Sequence, residues 1–119
     1  MTLTCAIIDD EPLAISLLES YVNKTPFLRL TAKFNSALEA LPVLSAQPVE
    51  LLFLDIQMPD MDGYETIKIM RERGYVLPVV ALTAHAMQSD KQRCLDAGMN
   101  AHIAKPVNFD KLKEILQNL

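Results

Sequence analysis

The chain has 119 residues, half of them hydrophobic and 22% charged, with a formal net charge of -4. That size and balance fit one soluble globular domain with a real core and exclude a disordered chain. The acidic excess argues against a nucleic-acid-binding face, which needs Lys and Arg to meet phosphates, and no apolar run approaches the roughly 20 residues of a bilayer-spanning helix.

The first apolar run, Leu3–Ile8, reads as a strand and is stopped at once by Asp9, Asp10 and Glu11. That interruption rules out a signal peptide, so a cytoplasmic setting is expected. Pro12 suits a first helical turn, and Leu13, Leu17 and Tyr21 follow with helical spacing. A second strand is predicted over Leu28–Phe34. Ser36 and Glu39 then form a capping box for the next helix. Pro42 lies inside that helix, where it removes a donor and crowds the preceding turn, so a short, bent or late-starting helix is expected.

Further strands are predicted over Leu51–Leu54, Val79–Leu82 and Ala101–Ala104, several of them continuously apolar, as strands covered on both faces are. Gly98 is placed as the residue ending the fourth helix. Asn108 is placed as the cap of the last, whose stripe is Leu112, Ile115, Leu116 and Leu119. Cys5 and Cys94 form no CxxC pattern and are expected to be buried and reduced. The methionines Met58, Met61, Met70, Met87 and Met99 are expected to pack rather than bind. Five successive β-then-α units predict an α/β fold, a doubly wound parallel sheet with helices on both faces.

Sites in such sheets form at the carboxyl ends of the strands. Asp9 and Asp10 close the first predicted strand, Asp55 the third, Thr83 the fourth and Lys105 the fifth, so they should converge on one edge. Each alone is an ordinary cap or strand end; five together from four strands form a site. Clustered carboxylates repel one another unless a cation sits among them, and a partial shell of carboxylates and water suits Mg2+ better than Ca2+. Asp9, Asp10, Asp55 and the Gln57 backbone carbonyl are the candidate ligands. Asp55 is the candidate nucleophile, since a carboxylate can form an acyl phosphate. Thr83 and Lys105 would neutralise and hydrogen-bond the phosphoryl oxygens.

The segments Ile8-Asp9-Asp10-Glu11-Pro12, Leu54-Asp55-Ile56-Gln57-Met58-Pro59 with Asp62-Gly63, Leu82-Thr83-Ala84 and Ala104-Lys105-Pro106 resemble the signature segments of two-component response-regulator receiver domains. The likeness covers the whole chain, 1–119, as one CheY-like receiver domain. It implies a flavodoxin-like sheet of order 2-1-3-4-5 and phosphorylation of Asp55, with Mg2+, by a sensor histidine kinase or histidine phosphotransfer protein. It also implies a cis peptide between Lys105 and Pro106, slow self-dephosphorylation rather than enzymatic turnover, and a switch on the face of the fourth helix, fifth strand and fifth helix. Weak homodimerisation on phosphorylation belongs to the same set; direct nucleic-acid or membrane binding does not.

By the same resemblance Gln57 and His85 flank the phosphoryl group and tune its hydrolysis, and His102 takes the position of the family's usual switch Tyr or Phe. Up to about Met58 the chain is similar to receivers of LytTR-type regulators; beyond it, Ala81-Leu82-Thr83-Ala84-His85-Ala86-Met87 and Ala97-Gly98-Met99-Asn100 look like hybrid-histidine-kinase receivers. Two other readings are open to the same residues. A Mg2+-dependent phosphatase would carry a second acid where Gln57 stands, and a phosphorylation-incompetent binding module would lack part of the acid, Thr and Lys set. The sequence does not name the output partner, which is either bound directly or a domain outside this chain.

Overall fold

The computed structural model describes residues 2–59, 61–84 and 88–119. The elements run β1 (Leu3–Ile8), α1 (Pro12–Asn23), β2 (Leu28–Phe34), α2 (Ala37–Ala46), β3 (Leu51–Asp55), α3 (Gly63–Glu72), β4 (Val79–Thr83), α4 (Gln88–Asp96), β5 (Ala101–Ala104) and α5 (Phe109–Gln117). The strands form one parallel sheet in the order β2-β1-β3-β4-β5. The fold is therefore the doubly wound one expected, with β3 and β4 each reaching one residue further, to Asp55 and Thr83.

The continuous apolar runs become intelligible in three dimensions. Cys5 and Ile7 of β1, Leu51 and Phe53 of β3, and Val80 and Leu82 of β4 pack with Leu18 and Val22 of α1 and Leu112 of α5. Their neighbours Ala6, Ile8, Leu52, Leu54, Val79 and Ala81 pack with Leu41 and Leu44 of α2, Ile67 and Met70 of α3, and Cys94 of α4. Successive side chains thus feed two cores, one on each face of the sheet, and the central strands β3 and β4 are apolar up to their last residues, Asp55 and Thr83. Cys5 and Cys94 are buried free thiols. Met70 and Met99 are core, Met58 and Met61 pack against it, and Met87 lies outside the described residues.

The helix punctuation follows the chain's chemistry. Pro12 opens α1, Ser36 Oγ accepts the Glu39 N–H, and Asn108 Oδ1 accepts the N–H groups of Asp110 and Lys111. Gly98, at φ +104°, ends α4 with two reversing bonds, Gly98 N–H to Leu95 O and Met99 N–H to Cys94 O. Gly74, at φ +88°, ends α3 with the same pair of bonds, Gly74 N–H to Arg71 O and Tyr75 N–H to Met70 O. Contrary to a late start, α2 begins directly after Ser36 and carries Pro42 within it. Pro42 and Leu38 are both exposed, so the missing helical donor falls on the water-facing side of α2.

Candidate functional site

Strand register brings the polar ends together. Ile8 pairs with Leu54, which sets Asp9 beside Asp55. Asp55 pairs with Leu82, and Thr83 with Ala104, so Thr83 and Lys105 follow on the same edge. Backbone bonds just beyond the ladder hold these ends: Asp9 N–H to Phe34 O, Ile56 N–H to Leu82 O, and Lys105 N–H to Thr83 O. Asp9, Asp55 and Thr83 are buried, whereas Asp10 and Gln57 are exposed. The Lys105–Pro106 peptide is cis.

Carboxylate oxygens of Asp9, Asp10, Glu11 and Asp55 lie within 4.8 Å of one another. Asp9 Oδ1 accepts the Glu11 N–H, and Asp55 Oδ1 accepts the Gln57 N–H. The inner oxygens, Asp9 Oδ2 and Asp55 Oδ2, are sealed from solvent and have no well-aligned donor among the described residues. Lys105 Nζ faces both, at 2.9 and 3.4 Å, and bonds Glu11 Oε1 at 2.9 Å. Burial pushes Asp55 up to about 7, helped by the charge of Asp9 and a hydrogen bond with Asp10, against the Gln57 N–H and Lys105. Burial works against the Lys105 charge, but Asp9, Glu11 and Asp55 outweigh it and raise its affinity for a proton. Hard oxygen donors, two of them buried without an aligned donor, fit a small divalent cation with waters completing its shell.

Gly63 presses on this loop from below. A Cβ there would lie 2.7 Å from Ile56 Cα and 2.8 Å from Asp55 O, both backbone atoms, and Gly63 N–H donates to Ile56 O. Gly63→Ala should therefore cost about 1–3 kcal/mol of stability, the range of a forced overpacking. It should also move the amide resonances of Asp55, Ile56 and Gln57. A denaturation midpoint unchanged from wild type would show that the loop yields freely.

His102 lies half-buried on β5, opposite Ala81, in a groove shared with Lys91 and Leu95 of α4 and Lys111 and Ile115 of α5. Burial lowers its proton affinity, with Lys91 and Lys111 adding to the effect and Asp90 opposing it. His85 lies outside the described residues. Sequence reasoning missed Glu11 as a partner of Lys105; the acidic triplet Asp9-Asp10-Glu11 was its only signal.

A parallel sheet with buried acids, a Thr and a Lys at its carboxyl edge defines a class of signalling domain, and residues 5–117 match it: the chain belongs to the response regulator receiver domain family of two-component systems. It is similar to part of the sensor histidine kinase RcsC of Salmonella typhi, 39% identical over 110 residues, 92% of this chain and 11% of that protein. The signal transduction histidine-protein kinase BarA of Escherichia coli is 30% identical over 118 residues, 98% of this chain and 13% of that protein. The chain thus spans about a tenth of the length of these curated relatives. Among solved structures, the CheX–CheY–BeF3–Mg complex from Borrelia burgdorferi shares the fold at a TM-score of 0.89 and 20% identity, covering 98% of this chain and 87% of that one. No helix among the described residues is long and apolar enough to cross a membrane.

Proposed function

We propose that residues 1–119 act as one phosphoacceptor unit, with Asp55 taking a phosphoryl group from a phosphohistidine on a sensor kinase or phosphotransfer protein. One observation carries this reading: Asp55 is a buried carboxylate with an inner oxygen lacking an aligned donor, set between other acids and an ammonium group at the sheet's carboxyl edge. In the transfer an Asp55 oxygen bonds to phosphorus as the P–N bond breaks, and the imidazole leaves with its electron pair and takes up a proton. Lys105 and Thr83 supply positive charge and a hydroxyl donor to the phosphoryl oxygens.

Asp9, Asp10, Asp55 and the Gln57 carbonyl would hold Mg2+, which offsets carboxylate and phosphoryl charge and keeps Asp55 ionised near neutrality. Gln57 and His85 would tune a slow self-hydrolysis. Thr83, drawn to the phosphoryl group, and His102 would carry the change to the face of α4, β5 and α5, where an output partner or a second copy binds. The setting proposed is cytoplasmic.

Phosphorylation should require the metal. With acetyl phosphate as donor, acid-labile phosphate measured by mass should reach wild-type levels with millimolar Mg2+ and vanish with excess chelator. Asp9→Ala and Asp10→Ala should weaken Mg2+ binding and labelling together. Full labelling in chelator would overturn the metal role, and fast multiple turnover of a phosphate monoester, beyond the slow hydrolysis of the acyl phosphate, would favour a phosphatase instead.

A further inference from the structure

Lys105 has three protons to donate, and its aligned hydrogen bond goes to Glu11 Oε1, at 2.9 Å and 94 positions away in sequence. Asp9 Oδ2 and Asp55 Oδ2 surround the same ammonium at 2.9 and 3.4 Å. These three acids are not equivalent. The side chains of Asp9 and Asp55 are almost wholly buried, whereas that of Glu11 is 62% exposed. The Glu11 backbone is tied down, its N–H to Asp9 Oδ1 and its carbonyl to the Ile15 N–H, so the side chain alone can leave. An anion that arrives on Asp55 must draw the ammonium from one of its partners. Glu11 is the partner whose release leaves a carboxylate in water rather than a buried one, and so costs least.

We propose, on the phosphoacceptor reading above, that Glu11 is a positioning residue that latches Lys105 and competes with the phosphoryl group for its ammonium. When the anion binds, the Glu11 carboxylate swings into water and Lys105 turns to the anion's oxygens. Glu11 thereby sets how tightly the site holds its phosphoryl group without touching it.

The charge of Glu11 and its reach separate cleanly in two variants. Glu11→Asp keeps the charge but is one methylene too short to meet Lys105; Glu11→Gln keeps the reach and removes the charge. Beryllofluoride affinity at saturating Mg2+, followed by amide shifts, should rise about two- to fivefold in both, the scale of an exposed ion pair. Mg2+ affinity without the anion should stay at the wild-type value in Glu11→Asp and fall only in Glu11→Gln. In the metal-free protein Glu11→Asp should also shift the Lys105 ammonium 15N resonance.

Wild-type beryllofluoride affinity in Glu11→Asp, with a gain in Glu11→Gln alone, would show a long-range field effect and overturn the latch. Loss of Mg2+ affinity in Glu11→Asp would make Glu11 a metal ligand and overturn it equally. An unmoved Lys105 ammonium resonance would show that the ion pair does not persist in solution, and the latch would fall with it. Failure of wild type itself to bind beryllofluoride with Mg2+ would instead sink the phosphoacceptor reading and the latch together.

Discussion

Asp55→Asn should abolish phosphorylation, leaving no acid-labile phosphate above background, and at the same time make the metal-free protein more stable. The amide keeps the shape of the side chain and loses the nucleophilic charge. The stability gain has a definite pH dependence. Asp55 sits at about 7 in the folded chain against an ordinary value of 3.8. Well below 3.8 it is protonated both folded and unfolded and contributes no penalty. As the pH rises toward 7 the unfolded chain ionises it freely while the folded chain resists, so stability falls across that interval and is level above it. The full penalty is on the order of 4 kcal/mol. The stability difference between Asp55→Asn and wild type should therefore widen from pH 4 to pH 7.5 in chelator. Added Mg2+ should narrow it by stabilising wild type preferentially. A difference that stays constant across that pH range would mean that Asp55 ionises in the fold without penalty, and undiminished phosphate on the variant would move the acceptor elsewhere.

The strands, the sheet class and the polar ends that meet at the site were all legible in the sequence, because each rests on local pattern. Alternation was not. Leu51-Leu52-Phe53-Leu54 reads as one apolar block, and only pairing with β1 and β4 sorts Leu51 and Phe53 to one core and Leu52 and Leu54 to the other. The extension of β3 and β4 to Asp55 and Thr83 has the same origin, since a polar residue joins a strand when its neighbours' backbone is already in place. Pro42 argued for a disturbed helix. Its exposure, which depends on the face α2 turns outward, leaves the helix start at Ser36 intact. Gly74 carried the same capping signal as Gly98 and was readable by the same rule. Glu11 was legible as an acid but not as a partner of Lys105, because that contact joins the first loop to the last strand end.

Arg71 is the clearest case of a role invisible in one dimension, and its removal should be among the most damaging single changes to stability. In sequence it is a basic residue in the last turn of a helix, a favourable but minor placement. In the fold its guanidinium donates to Tyr75 O at 2.8 Å, Leu77 O at 3.0 Å and Gly98 O at 2.8 and 3.3 Å. It also reaches Asn100 Oδ1 at 3.2 Å, which in turn accepts the Val79 N–H. One side chain thus caps the carbonyls of two loops, one leading into β4 and the other into β5. Its planar fork serves them together, as a single ammonium on a flexible stem does not. Arg71→Ala should lose about 2–4 kcal/mol, the result of leaving part-buried carbonyls without donors. Arg71→Lys should recover less than half of that loss. Hydrogen exchange should quicken at Val79, Met99 and Asn100, whose amide bonds lie on the clamped loops. Phosphorylation of Asp55 should persist at temperatures where the variant remains folded, because the clamp sits at the amino ends of β4 and β5, away from the acids. A denaturation midpoint within about 0.5 kcal/mol of wild type, the usual range for a neutral surface change, would show that water satisfies those carbonyls as well as the guanidinium does.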